Sequence, residues 1–206
     1  DGDGTDDRIV ARVPVPGVAL GVDTYFERGV DRVLVSGMTE SYDGSGALDH
    51  TDAHLWVIGF DPLDVGSTSL IDTLPLQGAS FARGIDAEGG RALVAQAEGG
   101  LGLVDIHLAG EAYRTASAAL PVGHTALDAL RLPAEGGASE RYLVAAGLYD
   151  VAENALVDEL DPSTGGFYVL ENDVGTGFRV VGSVPVPSSR IAVRGHHAFL
   201  AAGRAG

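Results

Sequence analysis

Short apolar runs, each closed by glycine or proline, recur along the whole chain. One type reads DRVLVSG (residues 31–37), GRALVAQ (90–96), ERYLVAAG (140–147) and HHAFLAAG (196–203). It aligns Leu34, Leu93, Leu143 and Phe199, at intervals of 59, 50 and 56 residues. A second type follows the first three of these: HLWVIGFD (54–61), LGLVDIH (101–107) and GFYVLEN (166–172). A third type carries proline: RVPVPG (12–17), TLPLQG (73–78), ALPVGH (119–124) and SVPVPS (183–188). Each proline run leads into a fourth: VALGVDTY, SFARGIDA, TALDALRL and RIAVRG. Runs this short, spaced by turn residues, predict strands. The 30 glycines and 9 prolines are spread along the chain as their punctuation.

The repeating unit is therefore four strands in about 46–64 residues, a period that predicts the blades of a β-propeller. The fourth type is strand a, and the LVA type is strand b, apolar on both faces as burial between neighbours requires. The LVD type is strand c. Proline cannot donate to a ladder, so the proline runs are outermost strands d or the exits from them. A β-sandwich would show cleaner alternation and no four-beat recurrence. The expected fold class is all-β, a β-propeller with four-stranded antiparallel blades in an incomplete ring or fragment. Its expected parts are an acidic Asp/Gly-rich linker over 1–7, an outer strand over 8–16, blades over 18–76, 79–122 and 125–187, and a half blade over 189–203. Strand c is missing from that half blade. Either the chain is a piece of a larger ring, or it is a compact four-blade ring that lacks this strand or borrows it from another chain.

The b strands, together with GGLGLVDIH (99–107) and VIGFDPLD (57–64), resemble the LVIVD-repeat propellers. The resemblance covers nearly the whole chain after Arg8, and long insertions in the first and third blades depart from it. It implies an exported, extracellular, cell-surface or periplasmic protein.

Charge narrows the partners. The net charge is −16, from 29 acids against 13 bases that are all arginine. Such a chain repels phosphate backbones and anionic lipid, so nucleic-acid binding is not expected. No apolar run approaches the ~20 residues that span a bilayer. Cysteine is absent, which excludes disulfides and thiolate metal sites. No leader peptide is visible, although one could have been removed ahead of the opening DGDGTDD.

Candidate chemistry lies in two long b–c connections, which share one rim of a propeller with the d–a loops. Long connections on a rigid scaffold carry function. Residues 36–54 hold Glu40, Asp43, Asp49, His50, Asp52 and His54. His50 and His54 have H-x3-H spacing, which would share a metal on a helix, but Gly44 and Gly46 argue for a loop. The spacing of the carboxylates fails the EF-hand pattern. Residues 146–166 hold Asp150, Glu153, Asp158, Glu159 and Asp161. Within them DVAENALVDEL predicts a short helix capped by Asp150, with Val151, Ala155 and Leu156 turned inward. Asp1, Asp3 and Asp6 could supply oxygens to Ca²⁺, although a terminal stretch this short more often lacks a fixed structure, so no cofactor is assigned. His124, Thr125, Arg83 and residues 188–190, including Arg190, lie near d–a loops and could form a polar pocket at the channel. His196 and His197 read as a turn on the opposite rim. Nothing fixes a nucleophile–base pair, so no catalytic residue is assigned. The expected function is a non-catalytic binding or scaffolding module that contacts a protein, glycan or cation through its long loops. The alternative is a propeller enzyme, lactonase-like or cofactor-dependent, with a divalent cation in the channel.

Overall fold

The computed structural model describes residues 11–107, 109–134, 139–150, 153, 155–157, 161–173 and 177–202. The described residues form sixteen β-strands and one short 3-10 turn at Val65–Ser67, with no α-helix among them. Twelve strands make three four-stranded antiparallel sheets. The first sheet is β1 (Val18–Glu27), β2 (Val30–Tyr42), β3 (Leu48–Phe60) and β4 (Ser69–Pro75), paired in chain order. The second is β5 (Ile85–Glu88), β6 (Arg91–Gln96), β7 (Gly100–Ile106) and β8 (Ala112–Ala118), again in chain order. In the third connection two short strands intervene, β11 (Leu148–Asp150) and β12 (Ala155–Val157), which pair only with each other. The third sheet is accordingly β9 (Ala126–Leu132), β10 (Arg141–Ala146), β13 (Gly166–Asp173) and β14 (Gly177–Val184). A two-stranded hairpin follows, β15 (Arg190–Arg194) and β16 (His197–Ala201).

The apolar runs of the three four-stranded sheets become central strands because both their faces are covered, whereas the last, in β16, is mostly exposed. Leu34, Leu55 and Val57 of the first sheet pack against Ala92, Val94, Val104 and Ile106 of the second. The second sheet's opposite face, with Leu93, Leu101 and Leu103, packs against Tyr142, Val144, Tyr168 and Leu170 of the third. Successive side chains of β6 thus serve alternate layers, as the two-residue period of a strand requires. The prolines of three of the proline runs sit at or just past the ends of the fourth strands: Pro75 closes β4, while Pro121 and Pro185 follow β8 and β14. Residues 11–15 join no ladder, and Val13 and Val15 lie against Val35, Trp56 and Ile58 on the first sheet's outer face.

The first strands of successive sheets approach so closely that only glycine fits. A Cβ on Gly21 would fall 1.9 Å from the Arg83 carbonyl oxygen, and one on Gly84 would fall 2.4 Å from Asp128 Cα. Aspartates then tie strand to strand. Asp23 Oδ2 accepts from the Ala87 amide at 2.7 Å, Asp86 Oδ2 from Arg131 N at 2.5 Å, and Asp128 Oδ2 from Ile191 N at 2.8 Å. Asp72 repeats the device between fourth strands, accepting from Ala112 N at 2.7 Å.

Both long connections differ from expectation. Residues 36–54 are mostly strand: β2 and β3 run on as a hairpin that turns at 43–47. The helix expected after Asp150 is instead the β11–β12 hairpin, with Tyr149 paired opposite Leu156. Val151, Asp158 and Glu159 lie outside the described residues, as do Asp1, Asp3 and Asp6.

Candidate functional site

Two places gather polar side chains. The first is the start of the first-strand line, where the loops entering β5, β9 and β15 meet. Arg83 is buried there and donates from Nη1 to the Ser189 carbonyl at 2.9 Å. Its guanidinium lies 4.6 Å from the centroid of the Tyr149 ring, a cation–π contact. Burial lowers the Arg83 pKa, since desolvation disfavours the charged form. Buried Asp128 is held on both oxygens: Oδ1 accepts from Ala129 N at 3.1 Å and Oδ2 from Ile191 N. Burial raises the Asp128 pKa, opposed by the Ile191 amide and then by the Arg190 guanidinium. Thr125 and Ser188 are buried nearby in sequence, at the entries to β9 and β15.

The β11–β12 hairpin covers this end. Tyr149 tilts against Phe81, and Leu156 packs with it on Met38, Phe81, Ala97 and Leu127. Asp150 closes β11, and its Oδ1 accepts from the Glu153 amide at 3.1 Å. His124 turns elsewhere. Its Nε2 lies 3.1 Å from the Ser163 carbonyl, so Nε2 carries the proton and Nδ1 accepts from the Tyr168 hydroxyl. The structure thus joins Arg83 to the 188–190 segment and leaves His124 in a separate pair with Tyr168. Tyr149 and Asp128 belong to the cluster without having been singled out by sequence. The recurring aspartate in VDTY, IDAE and LDAL was the available signal for Asp128.

The second place is the projecting tip of β2 and β3. β1 keeps company with β2 only as far as Met38, and β4 with β3 only from His54. Beyond these, Thr39–Asp52, Glu40–Thr51, Ser41–His50 and Tyr42–Leu48 pair as an isolated ribbon. Asp43 builds the turn: its Oδ1 accepts from Ser45 N at 2.8 Å, Ser45 Oγ at 2.6 Å and Ala47 N at 3.0 Å. These bonds, the Ser45 hydroxyl first, hold its carboxyl below the usual range. His50 lies between Asp49, at 3.0 Å, and Asp52, at 3.4 Å, and the hydrogen bond to Asp49 raises its pKa. His54 instead stacks on Trp56, with ring centroids 5.9 Å apart. On a strand, residues four apart stand about 13 Å from one another, so His50 and His54 cannot share an ion. Among the described residues no group of three or more His, Asp or Glu side chains is placed to hold a metal.

His196 occupies the β15–β16 turn and His197 opens β16. Between this hairpin and the third sheet runs a cleft of about 800 Å³ lined by Leu143, Phe167, Val169, Val193 and His197. Among the described residues no helix is long and apolar enough to cross a membrane. No family model matches the chain, and no curated protein matches it.

Proposed function

We propose that the chain is a non-catalytic binding module, an arc of a β-propeller of the LVIVD-like kind, that holds a protein partner at the tip of the β2–β3 ribbon. The propeller reading is supported by three quartets in the same strand order, with first strands and fourth strands each meeting their counterparts in the next sheet. The binding reading rests on one observation. At the ribbon tip Tyr42 and Leu48 stand opposite one another, 59% and 55% exposed, among Glu40, Asp43, Asp49 and Asp52. An apolar pair ringed by carboxylates suits a partner that presents an apolar pocket edged by lysine or arginine. The enzyme alternative needs a divalent cation at the first-strand ends. Arg83 and Arg190 flank the carboxylate there, which favours anions over cations.

The test is selection of displayed peptides on the intact chain, followed by titration of the winners against a Tyr42→Ala/Leu48→Ala variant. The expected winners combine basic residues with an apolar anchor and weaken by ~10-fold or more, about 1.4 kcal/mol. Winners that bind the variant equally well, with its circular dichroism unchanged, would refute the reading.

A further inference from the structure

Arg28, Arg91, Arg131, Arg141 and Arg179 each place a nitrogen within 3.6 Å of an Asp or Glu oxygen. Arg83 and Arg190 are different: among the described residues, neither meets a carboxylate at that distance. Arg83 is 8% exposed, and its one hydrogen bond among the described residues runs from Nη1 to the Ser189 carbonyl. A guanidinium carries five N–H donors. The contact with Tyr149 is made to the ring and supplies no oxygen acceptor.

Arg190 opens β15 beside that same Ser189. Burial lowers the Arg83 pKa, and Arg190 is close enough to lower it further, whereas Tyr149 and Asp128 raise it. Asp128 cannot serve as a fork for either guanidinium, because both its oxygens are held by the Ala129 and Ile191 amides. Two cations and one carboxylate leave a single positive charge here, in a chain whose net charge is −16. Ser188 adds a third mark. It is 0% exposed and its amide donates to the Ala146 carbonyl at 3.0 Å, yet its Oγ has no partner among the described residues. Buried hydroxyls are ordinarily paired. This one is a donor without an acceptor, one residue from the carbonyl that Arg83 holds.

We infer that Arg83 and Arg190 form a binding site for an oxyanion, a carboxylate or phosphate group, at the entry to β15, with the Ser188 hydroxyl as a further donor. Planar forks of N–H groups match the paired oxygens of such a group. A cation held away from water without a partner is costly, and an anion seated beside it removes that cost. The acid elsewhere on the chain repels anions from the surface at large, which confines them to this spot. The site shares no residue with the ribbon tip, so either reading can fail without the other.

The probes are inorganic phosphate and acetate, each titrated into the full chain by calorimetry at constant ionic strength. Nitrogen-15 spectra of the Arg83 and Arg190 Nε–H groups locate the contact. The expected result is saturable one-to-one binding of at least one probe, with both Nε–H signals shifting. Saturation by phosphate alone identifies a phosphate group as the ligand, and saturation by acetate alone a carboxylate. Arg190 is exposed, so its replacement leaves the fold in place. R190M should weaken binding by ~10-fold or more, and R190K, which keeps the charge, should lose less. Three results overturn the site: neither probe saturates, sodium chloride reproduces the same heats and shifts, or R190M binds as the parent does with its circular dichroism unchanged.

Discussion

Asp128 shows how much one side chain can join. Each oxygen takes a different amide, one from its own strand and one from β15. Asparagine would keep one acceptor and turn an amino group toward the other N–H. Hydrogen bonds to charged groups contribute about 1.5–3 kcal/mol, so D128N should lower stability by that order. In a chain of this length each kcal/mol lowers Tm by about 2–4 °C, a shift that calorimetry can read. The pH dependence has a fixed sign. Burial raises this carboxyl's pKa, so the folded chain holds the proton to higher pH than the unfolded chain does. Parent stability from this group therefore falls as pH rises from the ordinary carboxylate range through the raised value. D128N lacks that slope, so the gap between the two proteins should narrow across this window, as denaturant titrations at a series of pH values would show. The role of Asp128 was half legible. The aspartate recurs in three of the four first-strand runs, but its partner lies 63 residues away, and no spacing along the chain reveals it.

Single strands were easier to read than the connections between them. Quartets could be recognised because b strands buried on both faces lose alternation, while d strands end near prolines. The two insertions misled for opposite reasons. Glycines 44 and 46 suggested a loop across residues 36–54, yet they occupy only the five-residue turn, and pairing carries β2 and β3 to either side of it. In the 148–157 stretch, helical spacing of Val151, Ala155 and Leu156 competed with a hairpin that buries Tyr149 and Leu156 against Phe81, and the tertiary contact prevailed. At the same scale, the close approach of first strands sets a strict size limit. Gly21→Ala and Gly84→Ala should each cost about 1–3 kcal/mol or more by overpacking. Gly44→Ala, with nothing within 4 Å of the new methyl, should be close to neutral. Thermal melts of the three variants test the contrast.

Across the whole molecule, Arg83 connects parts that ladders do not. It enters from the second sheet, holds the Ser189 carbonyl ahead of β15 and stacks on Tyr149 of the β11–β12 flap. Arg83→Met keeps the length of the side chain but removes the donor and the charge. The three sheets should persist, while amides of β15 and β16 exchange faster; uniform exchange across all strands would show that Arg83 supports the whole fold instead. The ribbon beyond Met38 and His54 bears on the geometry of any complex. A two-stranded ribbon twists more than a four-stranded sheet, and four further rungs carry its end roughly 13 Å outward at ordinary strand rise. Cargo gripped there would ride at arm's length from the stacked body, facing a direction the sheets themselves do not set.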